Sequence, residues 1–222
     1  MRRAWQVASY ALMLALIGGG AAAESRQTYT YDVEHPRYGN IGTYTDTVTR
    51  DGDTRRIDTK MRIAVKVLGI TMFREDADRT ETWHGGRLVG FDGVTVTNGK
   101  SVKIHGLAQG DRFDITTPSG TTHAPAGVYP STPWSAALPN PSFMMSTRSG
   151  HVLPAKEIGP EPAVVSLYGA QMPVRHYEIQ TDKRQDVWLN ARGIPVRFRT
   201  VEDGTPIDFV LSAEQVAQLR RQ

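Results

Sequence analysis

Apolar and polar residues alternate with period two along most of this chain. The alternation runs longest from Arg56 to Leu68, where Ile57, Thr59, Met61, Ile63, Val65 and Val67 interleave with Arg56, Asp58, Lys60, Arg62, Ala64 and Lys66. That spacing predicts a β-strand with one dry face and one charged face. At ~3.3 Å per residue such a strand spans about 40 Å, roughly twice the usual length. Twist accumulates over that distance, so the sheet is expected to curl around whatever its apolar face covers. The odd positions should line the inside of the curl, while Lys60, Arg62 and Lys66 stay in water.

The flanking sequence repeats the pattern between turn signals. Tyr29, Tyr31 and Val33 alternate with Thr28, Thr30 and Asp32, and Ile41 to Arg50 reads as a second strand rich in Thr and Tyr. Asp51-Gly52-Asp53 predicts a hairpin into the long strand, and Ile70 to Trp83 should return beside it. Arg87 to Thr97 and Lys100 to Leu107 flank Asn98-Gly99, the cleanest two-residue hairpin signal, and Arg112 to Thr117 follows. Between Ala124 and Gly150 five prolines (Pro125, Pro130, Pro133, Pro139 and Pro141) rule out a continuous sheet, because each lacks an amide donor. Thr132-Pro133-Trp134 predicts an N-cap, a first-turn proline and a short helix ending near Leu138. Ser142 to Met145 is read as a second helical turn. This segment is too apolar for a linker and should lie across one end of the sheet as a plug or lid.

Strands are expected to resume over Gly150–Ile158, Ala163–Tyr168, Met172–Thr181, Gln185–Asn190, Ile194–Glu202 and Pro206–Leu211, the last two joined through Asp203-Gly204. Ser212 to Gln222 reads as a helix, with Ser212 and Gln215 placed for a capping box. The resulting fold class is mainly β: a long curved antiparallel sheet, an open barrel or half-barrel, with a short helical plug segment and a C-terminal helix. Residues 24–222 are expected to form one domain with the plug at about 125–149, since neither half alone offers a second layer to cover its apolar face.

The N-terminus adds an address. Arg2 and Arg3, the apolar run from Val7 to Ile17, and Ala21-Ala22-Ala23 before Glu24 have the layout of a cleaved export signal. The apolar run is too short for a permanent membrane span, so no stable membrane anchor is expected after cleavage, and the mature chain should be periplasmic or secreted. The chain has 26 Lys plus Arg against 23 Asp plus Glu; losing Arg2 and Arg3 leaves 24 against 23. That balance lacks the surplus a nucleic-acid surface needs. The absence of cysteine excludes disulfides, thiolate metal sites and a cysteine nucleophile.

Catalytic signatures are missing. The six histidines, His35, His84, His105, His123, His151 and His176, show no metal-ligand spacing, and no nucleophile elbow or phosphate loop is present. No cofactor, catalytic residue or metal ligand is therefore assigned. Arg74, Glu75, Asp76, Asp78, Arg79 and Glu81 crowd the returning strand. The favoured reading is a solvated face matched by Arg56, Lys60 and Arg62 across the hairpin. A rival reading makes Glu75, Asp76 and His84 the acid/base residues of a cofactor-free enzyme, which requires them to face a pocket.

What remains is a cavity or a core. A curled sheet with a Met- and Trp-bearing plug can enclose an apolar guest, or the same side chains can simply fill the interior. On the first reading, Trp134, Leu138, Phe143, Met144 and Met145 form the mouth and Met61, Ile63 and Val65 the floor of a site for an apolar or amphipathic small molecule or lipid. A third reading is an envelope assembly factor that meets a protein partner through an exposed sheet edge.

Several short motifs carry a resemblance: Tyr31-Asp32-Val33, Ile41-Gly42, Glu81-Thr82-Trp83 with Gly86-Arg87-Leu88-Val89, Asn98-Gly99, Trp134 and Asn140-Pro141. It continues in Val187-Trp188-Leu189-Asn190-Ala191, Gly193-Ile194-Pro195-Val196 and Asp203-Gly204-Thr205-Pro206-Ile207. On these the chain resembles an uncharacterised family of exported bacterial β-rich proteins known as a domain of unknown function. That resemblance brings no activity and no site residues. The final hairpin and helix are also similar to the end of periplasmic lipoprotein-carrier proteins, whose curved antiparallel sheet binds acyl chains. That likeness implies a curved open sheet here.

Overall fold

The computed structural model describes residues 24–138 and 142–221; the expected export signal at residues 1–23 lies outside them. Eight strands follow one another from the start: β1 Ser25–His35, β2 Gly39–Asp51, β3 Thr54–Val67, β4 Ile70–His84, β5 Arg87–Thr97, β6 Lys100–Gln109, β7 Arg112–Thr117 and β8 Gly120–Pro125. Then come the short strands β9 Tyr129–Pro130, β10 Phe143–Met145 and β11 Val152–Pro154, with a 3-10 helix at Pro133–Ala137 between the first two. The chain ends in β12 Lys156–Leu167, β13 Ala170–Gln180, β14 Arg184–Leu189, β15 Pro195–Glu202, β16 Thr205–Leu211 and helix α1 Ala213–Arg220.

Thirteen of these strands make one antiparallel sheet in the order β12-β13-β14-β15-β16-β1-β2-β3-β4-β5-β6-β7-β8, which does not close. Every neighbour is also a sequence neighbour except at β1–β16, where Tyr31 faces Leu211 and Val33 faces Phe209. That joint fuses two meanders, one before and one after the plug, into a single curved surface. The Tyr31 hydroxyl reinforces it by donating to the Pro195 carbonyl at 2.8 Å.

The long strand behaves as its alternation predicts over most of its length. Ile57, Thr59, Met61 and Ile63 are buried, whereas Lys60, Arg62 and Lys66 are exposed. Val65 is half-buried and Val67 exposed, because the hairpin outruns its neighbours. The β2 ladder on β3 stops at Gly42 opposite Ile63, and the β5 ladder on β4 stops at Thr97 opposite Glu75. The projecting tip carries Leu68, Ile70 and Met72 into solvent, with Leu68 97% exposed.

Three expectations change. Residues 143–145 form a strand, not a helical turn: β10 pairs parallel to β9 and antiparallel to β11, and those partners satisfy its backbone. Two separate strands over Gly150–Ile158 and Ala163–Tyr168 become β11 and one long β12, which runs through Pro160 and Pro162. β12 tolerates both prolines because it is an edge strand, paired on one side to β13. Ser212 starts α1 without a side-chain cap bond, so the capping box with Gln215 does not form; the Ser212 amide instead donates to the Thr30 carbonyl at 2.9 Å.

The plug divides the interior into two cores. One joins β1–β4, β12–β16 and α1 through Tyr31, Ile57, Phe198 and Leu211, and it includes Trp134 and Met144. The other lies under β4–β8 and holds Trp83, Leu88, Phe91, Phe113 and Met145. Met144 and Met145 enter different cores because neighbours on a strand point to opposite faces.

Candidate functional site

A cavity of about 740 Å³ opens inside the curl, between β2–β4 on one side, β13–β16 on the other and the plug. Registered rows build its first wall: Tyr44 beside Met61, Ile63 beside Glu75, and Val65 beside Phe73. Across the opening stand Ile179, Phe198, Ile207 and Phe209. Phe198 and Phe209 stack with centroids 4.4 Å apart, and both meet Tyr44 edge-on. Met72 and Phe73 bring the base of the projecting hairpin to the rim.

A chain of ion pairs crosses one side of this cavity. Arg148, from the plug, reaches Glu75 on β4 at 2.7 Å and Glu202 on β15 at 3.3 Å, and Lys183 reaches Glu202 at 2.7 Å. Glu75 is buried and also accepts from the Thr97 hydroxyl at 2.9 Å. Burial alone lowers the pKa of Arg148, but the two carboxylates outweigh it and hold the guanidinium above its ordinary value. The chain links two distant parts of the open sheet through the plug.

Deeper in, below the plug, lies a second polar row. Asp46, Thr59 and Arg79 occupy one register line across β2, β3 and β4, ending opposite Gly93 on β5. Asp46 accepts from the Thr59 hydroxyl at 2.6 Å and from the Trp134 indole N–H at 2.7 Å. Burial pushes its carboxyl up to about 6, although both donors resist the shift. One row away Glu81 accepts from the Trp83 indole N–H at 2.9 Å, and burial pushes it up to about 7. Glu81 Oε1 and Thr132 Oγ1 are both buried without a hydrogen bond of ordinary geometry, and the nearby Thr132 hydroxyl opposes the upward shift of the Glu81 carboxyl. Arg79 is buried in the cavity wall, and its Nη2 donates to Thr95 Oγ1 at 3.3 Å.

A family model described as a domain of unknown function, DUF6134, matches residues 31–212. The chain belongs to the DUF6134 family. The DUF6134 match takes in all sixteen strands, wholly or in part, together with the plug and the cavity walls. Among solved structures, the crystal structure of a β-barrel-like protein of the domain of unknown function DUF1849 from Brucella abortus superposes with a TM-score of 0.61 at 11% identity, covering 83% of this chain and 94% of that one. At that identity the likeness is one of fold. No curated protein matches the sequence.

In this DUF6134 chain the eight residues expected at a binding site divide evenly. Met61, Ile63, Val65 and Met144 line the cavity. Trp134 and Met145 are buried in the two cores, Leu138 packs on the second core, and Phe143 is exposed at the start of β10. The rival trio does not converge: Glu75 faces the cavity, Asp76 faces outward between Arg62 and Arg74, and His84 is exposed beside Thr54. The charges on β4 therefore serve two faces. Arg62 pairs with Asp78 at 2.8 Å on the wet face, as cross-strand matching predicts, while Glu75, Arg79 and Glu81 turn inward. A signal for this was present, since Glu75, Arg79 and Glu81 share parity with Phe73, Ala77 and Trp83.

The buried acids carry a pH dependence whose sign follows from their raised values. The ordinary values of 3.8 for Asp46 and 4.5 for Glu81 rise to about 6 and about 7 in the fold. The native state thus keeps protons that the unfolded chain releases between about pH 4 and 7, and stability falls as pH rises through that window. Asp58, Asp114 and Asp186 are shifted downward and act at more acid pH. Glu81→Gln is expected to flatten the slope and raise stability at pH 8 by on the order of 2–3 kcal/mol, with little change at pH 5. Urea unfolding of both proteins at the two pH values measures this; an equal stability change at both would count against it.

Proposed function

We propose that this DUF6134 domain is a non-enzymatic binding protein that holds an apolar or amphipathic small molecule or lipid in its open cavity. One observation carries the reading: about 740 Å³ of space with an aliphatic and aromatic wall and an ion-paired side persists beside two separately packed cores. That volume lies in the range of small-molecule sites, roughly 300–1,000 Å³. Burying apolar guest surface there contributes about 25 cal/mol per Å². The layout of residues 1–23 supports export, so the work is assigned to the periplasm or the outside of the cell.

Native mass spectrometry of the mature protein, purified from its own envelope, tests the assignment. A bound lipid or small molecule is expected, and Val65→Trp should reduce its occupancy several-fold by filling the cavity from a half-buried position. Repeated recovery of the protein without any guest, together with failure to bind the neutral probe N-phenyl-1-naphthylamine, would sink the proposal.

A further inference from the structure

We propose that the guest is an anionic amphiphile, a single acid group on an aliphatic chain, and that the acid pairs with Arg79. This rests on the cavity being the binding site proposed above. Arg79 is 9% exposed and forms part of the cavity wall. Its guanidinium offers five N–H donors. One nitrogen, Nη2, donates to Thr95, while Nε is buried with no partner. Among the described residues no carboxylate comes within 4.0 Å of it.

The acids nearby direct their hydrogen bonds to other donors, although Glu81 uses only one of its oxygens, and Glu75 and Glu81 act on Arg79 only through space. Asp46 takes Thr59 and Trp134, Glu81 takes Trp83, and Glu75 takes Arg148 and Thr97. A buried guanidinium with unfilled donors is costly, and a carboxylate or similar oxyanion entering from the cavity can fill two of them with parallel hydrogen bonds. The apolar wall then runs away from that anchor. Arg79 is opposite Thr59 on β3, and Met61, Ile63 and Val65 continue along the same face toward the rim. From Thr59 to Val65 the strand covers about 20 Å at ~3.3 Å per residue. A polar end at Arg79 and a chain along β3 match both features together.

Isothermal titration of the delipidated mature protein with dodecanoate, dodecan-1-ol and acetate separates the terms. Dodecanoate should bind at least about tenfold more tightly than the alcohol, the factor expected for a charge-assisted hydrogen bond in a dry site, and acetate should bind far more weakly than either. Arg79→Gln should bring dodecanoate down to the affinity of the alcohol and leave the alcohol unchanged; Arg79→Lys should fall between. Equal affinity for acid and alcohol in the unaltered protein would overturn the anionic assignment and leave the cavity reading standing. An acid preference that survives Arg79→Gln would overturn the role of Arg79. Acetate binding as well as dodecanoate would overturn the need for the chain, and binding of none of the three would overturn both readings.

Discussion

Gly42→Ala is expected to destabilise this protein by more than about 4 kcal/mol, a loss reserved for changes with a specific structural cause. The cause is backbone contact. Gly42 on β2 sits between Val33 on β1 and Ile63 on β3, and a Cβ there would lie 2.0 Å from the Arg62 carbonyl oxygen and 2.9 Å from the Ile63 Cα. No rotamer change relieves a clash with a neighbouring main chain, so β2 and β3 must separate where the cavity wall begins. Ile63 belongs to that wall, and the variant should therefore also lose guest binding. Urea midpoints measured with an alanine at the unobstructed Gly90 as control decide the matter. There the added Cβ would find Thr82 atoms at 3.6 Å, an ordinary contact. A cost at Gly42 below about 1 kcal/mol would mean that the strands do not approach as closely as described.

Trp134→Ala should cost about 3–5 kcal/mol, the usual range for emptying a large buried aromatic site. Trp134 is 2% exposed, lies 5.4 Å from the Tyr29 ring and donates to Asp46 across 88 residues of sequence. Removing it opens a void and strips Asp46 of one of its donors. Trp134→Phe separates the two effects. It keeps most of the ring and should lose about 1–3 kcal/mol for the donor at neutral pH. That smaller loss should shrink as pH falls below about 6, because a protonated Asp46 no longer needs the second donor. A pH-independent loss in Trp134→Phe would argue that the indole N–H contributes nothing through Asp46.

The parts of the fold that local chemistry specifies were legible. Asn98-Gly99 and Asp203-Gly204 adopt positive φ at both turn positions, and each joins the two strands that its sequence predicts. The plug was legible from its prolines, and the 3-10 helix at Pro133–Ala137 falls where the Thr132-Pro133 signal put a helix, although Thr132 makes no side-chain cap bond to it. Residues 142–145 were not, because three or four apolar residues carry no period of their own. Their strand identity comes from Tyr129–Pro130 and Val152–Pro154 on either side. The inward turn of Glu75, Arg79 and Glu81 was obscured for a different reason. Charge is an indication of water contact, and here parity, set by Ala77 and Trp83, outweighed it.

By itself, then, the sequence determined the alternation, the turns, the proline-broken plug and the curvature that a long strand imposes, all of which arise from interactions within a few residues. Only the tertiary structure decided that β1 pairs with β16, that Met144 and Met145 serve separate cores, and that a cavity rather than side chains fills the space between Val65 and Phe209. The physical reason is shared. Whether an apolar face meets another side chain or empty space depends on how far apart the sheet holds its two walls. That separation is set by long-range contacts such as Tyr31 to Pro195, Trp134 to Asp46 and Arg148 between Glu75 and Glu202.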